Sequence, residues 1–202
     1  PYFRPSTLYR MARSKAYLFA GVEIRWRCDP ALLANDDPVP AEAVLHYPGG
    51  LSDYLNDATA ETALLVSTPF ADLVELDGQK FEWAITWLGA GEDGFFHSYC
   101  NTVPTPSGGT HEAGFRQAIT RALRSFGDLA GNRKAAEITA DDVFAGPAVM
   151  LSVFLRDPQF QGQTKDRLVS ADATRQTEQA ARDRFEQWLA ADAPRVAARC
   201  IC

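Results

Sequence analysis

Ala148-Val149-Met150-Leu151-Ser152-Val153-Phe154-Leu155 is the stretch whose reading decides the fold. An apolar run of this length, closed by the turn-like Arg156-Asp157-Pro158, reads as a buried strand. Upstream, residues 95–101 read as a further strand. A long amphipathic helix follows from about residue 111 to 126, with Thr110 as its cap. Phe115, Ile119, Ala122, Leu123 and Phe126 form one face of that helix, Arg116 lies at the face's edge, and Thr120 and Arg124 point away. A strand–helix–strand succession implies a crossover connection in a mixed sheet. The expected class is therefore α/β (α+β), a mixed β-sheet packed by helices with a βαβ crossover.

Downstream of the buried strand, Gly162-Gln163-Thr164-Lys165-Asp166-Arg167-Leu168 sets a lysine, flanked by amide and hydroxyl side chains, on a loop. Such a loop can present a cation to a phosphate held by something else, and the chain offers no phosphate cradle of its own. A lone loop lysine is solvated surface in most proteins, so the residues alone leave both readings open. Arg116 and Arg124 are in the same position. With Arg121 they form either a solvated helix face or a basic stripe.

The rest of the chain fits the mixed order. Ser6 reads as the N-cap of a first helix carrying Leu8, Met11, Ala12, Leu18 and Phe19, with Gly21 as its stop. Residues 22–28 alternate as a half-buried strand, residues 29–42 read as a loop, and residues 44–47 as a short strand. Pro48-Gly49-Gly50 turns into a brief helix over residues 51–55. Residues 64–67 and 73–76 look extended, and Asp77-Gly78 makes a hairpin turn to residues 81–88. A charged helix is expected over residues 172–191, and Pro194 suits the first turn of another.

Composition bounds the function. The 202 residues are 46% hydrophobic, enough for one large or two small domains with a proper core. A net charge of −6 argues against a protein dominated by attraction to nucleic acid or anionic membranes, without excluding a local basic patch. Cys28, Cys100, Cys200 and Cys202 are too scattered for a disulfide framework, so reduced thiols and a cytoplasmic location are expected. No apolar run approaches the roughly 18–20 residues of a membrane span. The missing initiator methionine and the Cys-Ile-Cys end suggest an excised fragment.

Several motifs fail on inspection. Gly89-Ala90-Gly91-Glu92-Asp93-Gly94 matches a dinucleotide fingerprint but leads into a strand, and its acids would repel phosphate, so it reads as a hairpin loop. His46, His97, His111 and the cysteines lack zinc-ligand spacing, and no metal site is expected. No Gly-x-Ser-x-Gly elbow is present. Gly108-Gly109-Thr110-His111 at a helix start reads as a helix entered by a tight turn, with an anion site as the alternative.

Three blocks carry a family resemblance: Tyr47-Pro48-Gly49-Gly50-Leu51; Asn101-Thr102-Val103 through Gly108-Gly109-Thr110-His111-Glu112-Ala113-Gly114-Phe115-Arg116; and Gln163-Thr164-Lys165-Asp166-Arg167-Leu168. In this order they resemble the ATPase subunit of the type IIA DNA topoisomerases, that is, bacterial gyrase B and its topoisomerase IV counterpart. The opening residues 8–25 look more like topoisomerase IV than gyrase.

The resemblance implies a transducer domain, with a fold shared with a small-subunit ribosomal protein, over residues 1–171. Residues 172–202 would form a C-terminal helical segment leading out of it. ATP and Mg would be bound mainly by an N-terminal ATPase domain that precedes this region, with neither expected on the chain alone. The lysine matched by Lys165 reaches the γ-phosphate there, and the glutamine matched by Gln163 assists. Arg116, with Arg124 beside it, would line the cavity through which double-stranded DNA passes. The implied partners are that ATPase domain, a second copy of the subunit in an ATP-gated dimer, and the DNA-cleaving subunit. Two rival readings remain at this point: a nucleic-acid-binding module of the same fold acting through Arg116, Arg121 and Arg124, and the transducer of another ATPase of the superfamily.

Overall fold

The computed structural model of the chain describes residues 3–33, 39–66 and 68–200, with side chains described to residue 191. It divides into two compact units, Pro1–Ala58 and Thr59–Cys202.

In the first unit, helix α1 (Pro5–Leu18) starts with a proline in its first turn, where a missing N–H and a fixed φ cost nothing. Arg4 is its N-cap and makes no side-chain cap bond, so Ser6 does not have the capping role expected of it. Strands β1 (Glu23–Arg27) and β2 (Glu42–His46) pair antiparallel. Alternate residues of β1 are half-buried, as its sequence alternation predicts. Part of the expected loop between them, residues 34–38, lies outside the described residues. Helix α2 (Leu51–Ala58) buries Leu51 and Leu55. The Arg13 Nε donates to the Tyr47 hydroxyl at 3.0 Å, and its guanidinium lies 4.8 Å from the Tyr54 ring centroid.

The second unit is the mixed α/β layer. Strands β3 (Phe70–Leu76) and β4 (Gln79–Trp87) form a hairpin through Asp77 and Gly78, whose φ values of 53° and 70° give the turn its left-handed pair. Then come β5 (Phe95–Cys100), β6 (Val103–Pro104), the long helix α3 (Thr110–Leu129), the short α4 (Ala140–Val143) and β7 (Pro147–Phe154). The chain ends with the paired β8 (Phe160–Gln161) and β9 (Arg167–Leu168) and helix α5 (Ala171–Cys200). The five-stranded sheet has the order β3-β4-β7-β5-β6. β7 runs antiparallel to β4 and parallel to β5, so β5–α3–β7 is the expected crossover. A central strand with neighbours on both sides explains why residues 147–153 are all buried.

Helices α3 and α5 cover one core. Phe81, Trp83 and Ile85 of β4 and Val149, Leu151 and Val153 of β7 join Phe115, Ile119 and Leu123 of α3 and Phe185 and Leu189 of α5. Each large side chain so buried is worth roughly 1.5–3 kcal/mol. Gly114 lets the two helices approach: a Cβ there would overlap the Thr174 carbonyl oxygen.

Several details differ from the sequence reading. Thr110 is the first residue of α3 rather than its cap; Gly109 holds the cap position, without a side-chain bond. Thr120 is buried, because its hydroxyl donates to the Arg116 carbonyl at 2.7 Å and so needs no solvent. The Gly89–Gly94 loop does lead into a strand, but β7 lies between the strands it joins, so it is no hairpin. Helix α5 continues through Pro194 instead of restarting there. Its Ala173, Ala181, Phe185 and Leu189 belong to the core, so by packing this helix is part of the second unit.

Candidate functional site

The lysine loop is the tip of a small hairpin, with Phe160 opposite Leu168 and Gln161 opposite Arg167. Gly162 and Lys165 both take left-handed φ, 74° and 58°. For lysine that conformation is uncommon and costs about 1–3 kcal/mol, which surrounding contacts must offset. Gln163, Thr164 and Lys165 are exposed, and the Lys165 ammonium lies 5.7 Å from the Phe160 ring centroid. Leu168 is fully buried and roots the hairpin in the core.

The hairpin is clamped to the turn that enters α3. The Ser107 N–H donates to the Asp166 carbonyl at 3.0 Å, and the Leu168 N–H to the Gly108 carbonyl at 3.1 Å. The Arg167 Nη1 donates to the Ser107 carbonyl at 3.0 Å. Gly109, at φ 145° and ψ −162°, lies against Leu168 so closely that a Cβ would overlap the Leu168 carbonyl oxygen. Only glycine combines that backbone with that approach.

Beneath this turn runs a chain of polar side chains. Ser98 of β5 donates to Glu112 Oε1 at 2.5 Å and lies 2.6 Å from the Thr105 hydroxyl, which lies 3.1 Å from His111 Nε2. With Glu112 ionised, each hydroxyl has one proton to give, so the order runs from His111 Nε2–H through Thr105 and Ser98 to the carboxylate. His111 is fully buried, and burial pushes its pKa down to about 4. It is thus a neutral core residue rather than an exposed ligand. Burial raises the Glu112 carboxyl, while the Ser98 hydrogen bond and the charges of Arg116 and Arg167 act the other way. Asn101 ties the sheet together nearby: its side chain donates to the Leu155 carbonyl at 3.0 Å and accepts from the Leu155 N–H at 2.8 Å.

The three arginines of α3 each have an intramolecular partner. The half-buried Arg116 guanidinium lies over the adjacent rings of Phe96 and Phe144, 4.9 and 4.6 Å from their centroids. Arg121 pairs with Glu178, and the Arg124 Nε donates to the Ile138 carbonyl at 2.6 Å. Burial pushes the Cys100 thiol up to about 12, so it is not a reactive thiolate. Among the described residues, no group of three or more His, Cys, Asp or Glu side chains could hold a metal, and no helix is long and apolar enough to cross a membrane. The Ser98–Thr105–His111–Glu112 chain was not read from the sequence. Its signal was the dense block at residues 101–116, whose individual roles need the sheet to bring Ser98 alongside.

A mixed sheet backed by two long helices, with a lysine hairpin clamped to the entry of one, defines the class of the second unit. A family model described as DNA gyrase B matches residues 50–201. The B subunit of DNA topoisomerase 4 from Caulobacter vibrioides is 50% identical over 192 residues, covering 93% of this chain and 27% of that protein. The Rickettsia felis protein of the same name is 42% identical over 193 residues, covering 95% and 29%. Among solved structures, the 43K ATPase domain of Thermus thermophilus gyrase B superposes with a TM-score of 0.78 at 27% identity, covering 98% of this chain and 51% of that one. The topoisomerase IV ATP-binding domain of Francisella tularensis gives 0.78 at 26%, covering 99% and 51%. The chain belongs to the DNA gyrase B family, that of the type IIA topoisomerase B subunits. It spans 27–29% of the length of these two curated relatives.

Proposed function

We propose that this chain is the transducer region of a topoisomerase IV-type B subunit, coupling ATP binding and hydrolysis in an adjoining domain to DNA strand passage. Lys165 senses the γ-phosphate and Gln163 assists it. The observation that carries this reading is the exposed Lys165 ammonium at the tip of a hairpin rooted in the core by Leu168. An ammonium is a compact point charge suited to a terminal phosphate. Three hydrogen bonds fix residues 166–168 to the entry of α3, so a pull on the lysine is transmitted to a helix rather than absorbed by a loose loop. The topoisomerase IV assignment over gyrase rests on relatives of that name at 42–50% identity.

The implied nucleotide, Mg-ATP, would be held mainly by the adjoining domain and supplies the triphosphate whose terminal group the lysine meets. The hairpin fits that role, since its lysine is exposed and its tip carries no carboxylate other than half-buried Asp166. A charge-assisted hydrogen bond contributes roughly 1.5–3 kcal/mol. Reversing a two-state population needs about 5.5 kcal/mol. Lys165 therefore acts with Gln163, the nucleotide's other contacts and closure of a dimer with a second copy of the subunit. The remaining partners in this reading are the DNA-cleaving subunit and duplex DNA, which passes Arg116 and Arg124, in the cytoplasm. The functional division is a transducer core over residues 1–171 and an outgoing helical segment over 172–202.

The test is Lys165→Ala in the full-length protein. The affinity for a non-hydrolysable ATP analogue, relative to ADP, should fall about tenfold or more. An unchanged ratio with near-normal turnover removes the sensing role. In the rival reading, a nucleic-acid module acts through Arg116, Arg121 and Arg124; the intramolecular partners of all three bear on it and on the DNA-path role alike. Salt-dependent DNA binding by the chain alone, undiminished without Lys165, would favour the rival reading.

A further inference from the structure

Glu112 is the one acidic residue in the first turn of α3, where the helix N-terminus favours an anion. Burial opposes its ionisation, while the hydrogen bond from Ser98 favours the carboxylate over a neutral acceptor. What distinguishes the carboxylate is its surroundings. It lies directly against the Gly108 backbone: a Cβ on Gly108 would stand 2.8 Å from Glu112 Oε2. Arg167 binds the same turn, its Nη1 on the Ser107 carbonyl at 3.0 Å, and its charge favours the ionised Glu112. The Ser107–Gly108 turn is thus contacted both by an anion on α3 and by a cation on the lysine hairpin. That turn carries the N–H that binds Asp166 and the carbonyl that binds Leu168.

We propose that Glu112 is a positioning residue for Lys165: tied to Ser98 and packed against Gly108, it fixes the turn to which the lysine hairpin is clamped. This rests on the sensing role proposed for Lys165. Glu112 touches neither the nucleotide nor DNA in this scheme; it acts through residues 107, 108 and 166–168. Arg116 follows Glu112 by one helical turn on α3, and its charge favours the ionised carboxylate.

The experiment compares Glu112→Gln, which keeps an acceptor for Ser98 but removes the charge, with Glu112→Ala, which removes both. Both are made in the full-length protein, with and without Lys165→Ala. Calorimetry measures the affinity for a non-hydrolysable ATP analogue and for ADP. Amide hydrogen exchange of residues 162–168 is followed without nucleotide, and thermal unfolding is recorded alongside. Glu112→Ala should lower the analogue's affinity about tenfold while leaving that of ADP essentially unchanged. It should also accelerate exchange at the Leu168 amide, and Glu112→Gln should fall between it and wild type. Combined with Lys165→Ala it should add nothing, since a misplaced lysine and an absent one lose the same contact. Equal losses for both nucleotides, an unchanged ratio, or full additivity in the double variant would overturn the proposal. If Glu112→Ala does not fold, Glu112→Gln and Ser98→Ala carry the same comparison. If Lys165→Ala alone leaves the ratio unchanged, the sensing role fails, while the exchange data still decide whether Glu112 fixes the hairpin.

Discussion

Acidification tests the buried state of His111. Its pKa is held down at about 4 by burial, against an ordinary value of 6.5. A group with a depressed native pKa contributes stability that is present above the unfolded pKa and is lost as pH falls toward the native one. For His111 the window is therefore pH 6.5 down to 4. With those two values the linkage relation gives a loss of about 2 kcal/mol at pH 5.0 relative to pH 7.5, and about 3 kcal/mol once the native ring is also protonated. Glu112 works in the opposite sense, because its raised pKa lets the folded state take up a proton more readily as pH falls. The comparison must therefore be with a variant that changes only the imidazole. His111→Gln suits, since its side-chain amide can still donate to Thr105 as the Nε2–H does. Urea unfolding, followed by the fluorescence of the four tryptophans, would be measured for both proteins at pH 7.5 and 5.0. The wild type should lose about 2 kcal/mol more than the variant over that interval. Equal losses in the two proteins would refute the reasoning, because the imidazole would then carry no native penalty for its charge.

Four further outcomes are expected. Asn101→Ala leaves the Leu155 N–H and carbonyl without their side-chain partner, and should cost about 1–3 kcal/mol with faster exchange at the Leu155 amide. Gly114→Ala forces α3 away from Thr174 and should lower stability by about 1–3 kcal/mol, read as a drop in Tm. In the full-length protein, Arg116→Ala should spare DNA-free ATP turnover but weaken its stimulation by DNA; equal stimulation would count against the cavity role. The purified chain by itself should show no ATP turnover, and measurable hydrolysis would sink the proposed division of labour.

Much of the layer was legible because its signals are local. The apolar run at 148–155, interrupted only by Ser152, marks a strand with neighbours on both sides, and β7 is that strand. Asp77-Gly78 supplies the left-handed pair that a two-residue hairpin needs, and the hairpin forms there. The apolar face of α3 was readable from Phe115, Ile119, Ala122 and Leu123, all buried. Thr120 escaped this logic because periodicity ranks side chains by polarity, whereas a hydroxyl bonded to its own helix can be buried at little cost. Of the candidate site, the exposed lysine loop was legible and its support was not. The hairpin that carries Lys165 is bonded to Ser107 and Gly108, contacts between residues far apart in the chain, and Ser98 reaches Glu112 across the sheet–helix layer.

By itself, the sequence determined the elements: which segments alternate, which run apolar, where glycine and proline end them, and which blocks match a family. Only the tertiary structure decided the strand order, with β7 inserted between β4 and β5, and the docking of the lysine hairpin on the entry of α3. The reason is physical. Local periodicity follows from the geometry of a single helix or strand, but pairing across the sheet is chosen by how whole apolar faces and backbone donors are satisfied together. That choice turns an ordinary glutamate at residue 112 into the residue on which the position of Lys165 is proposed to depend.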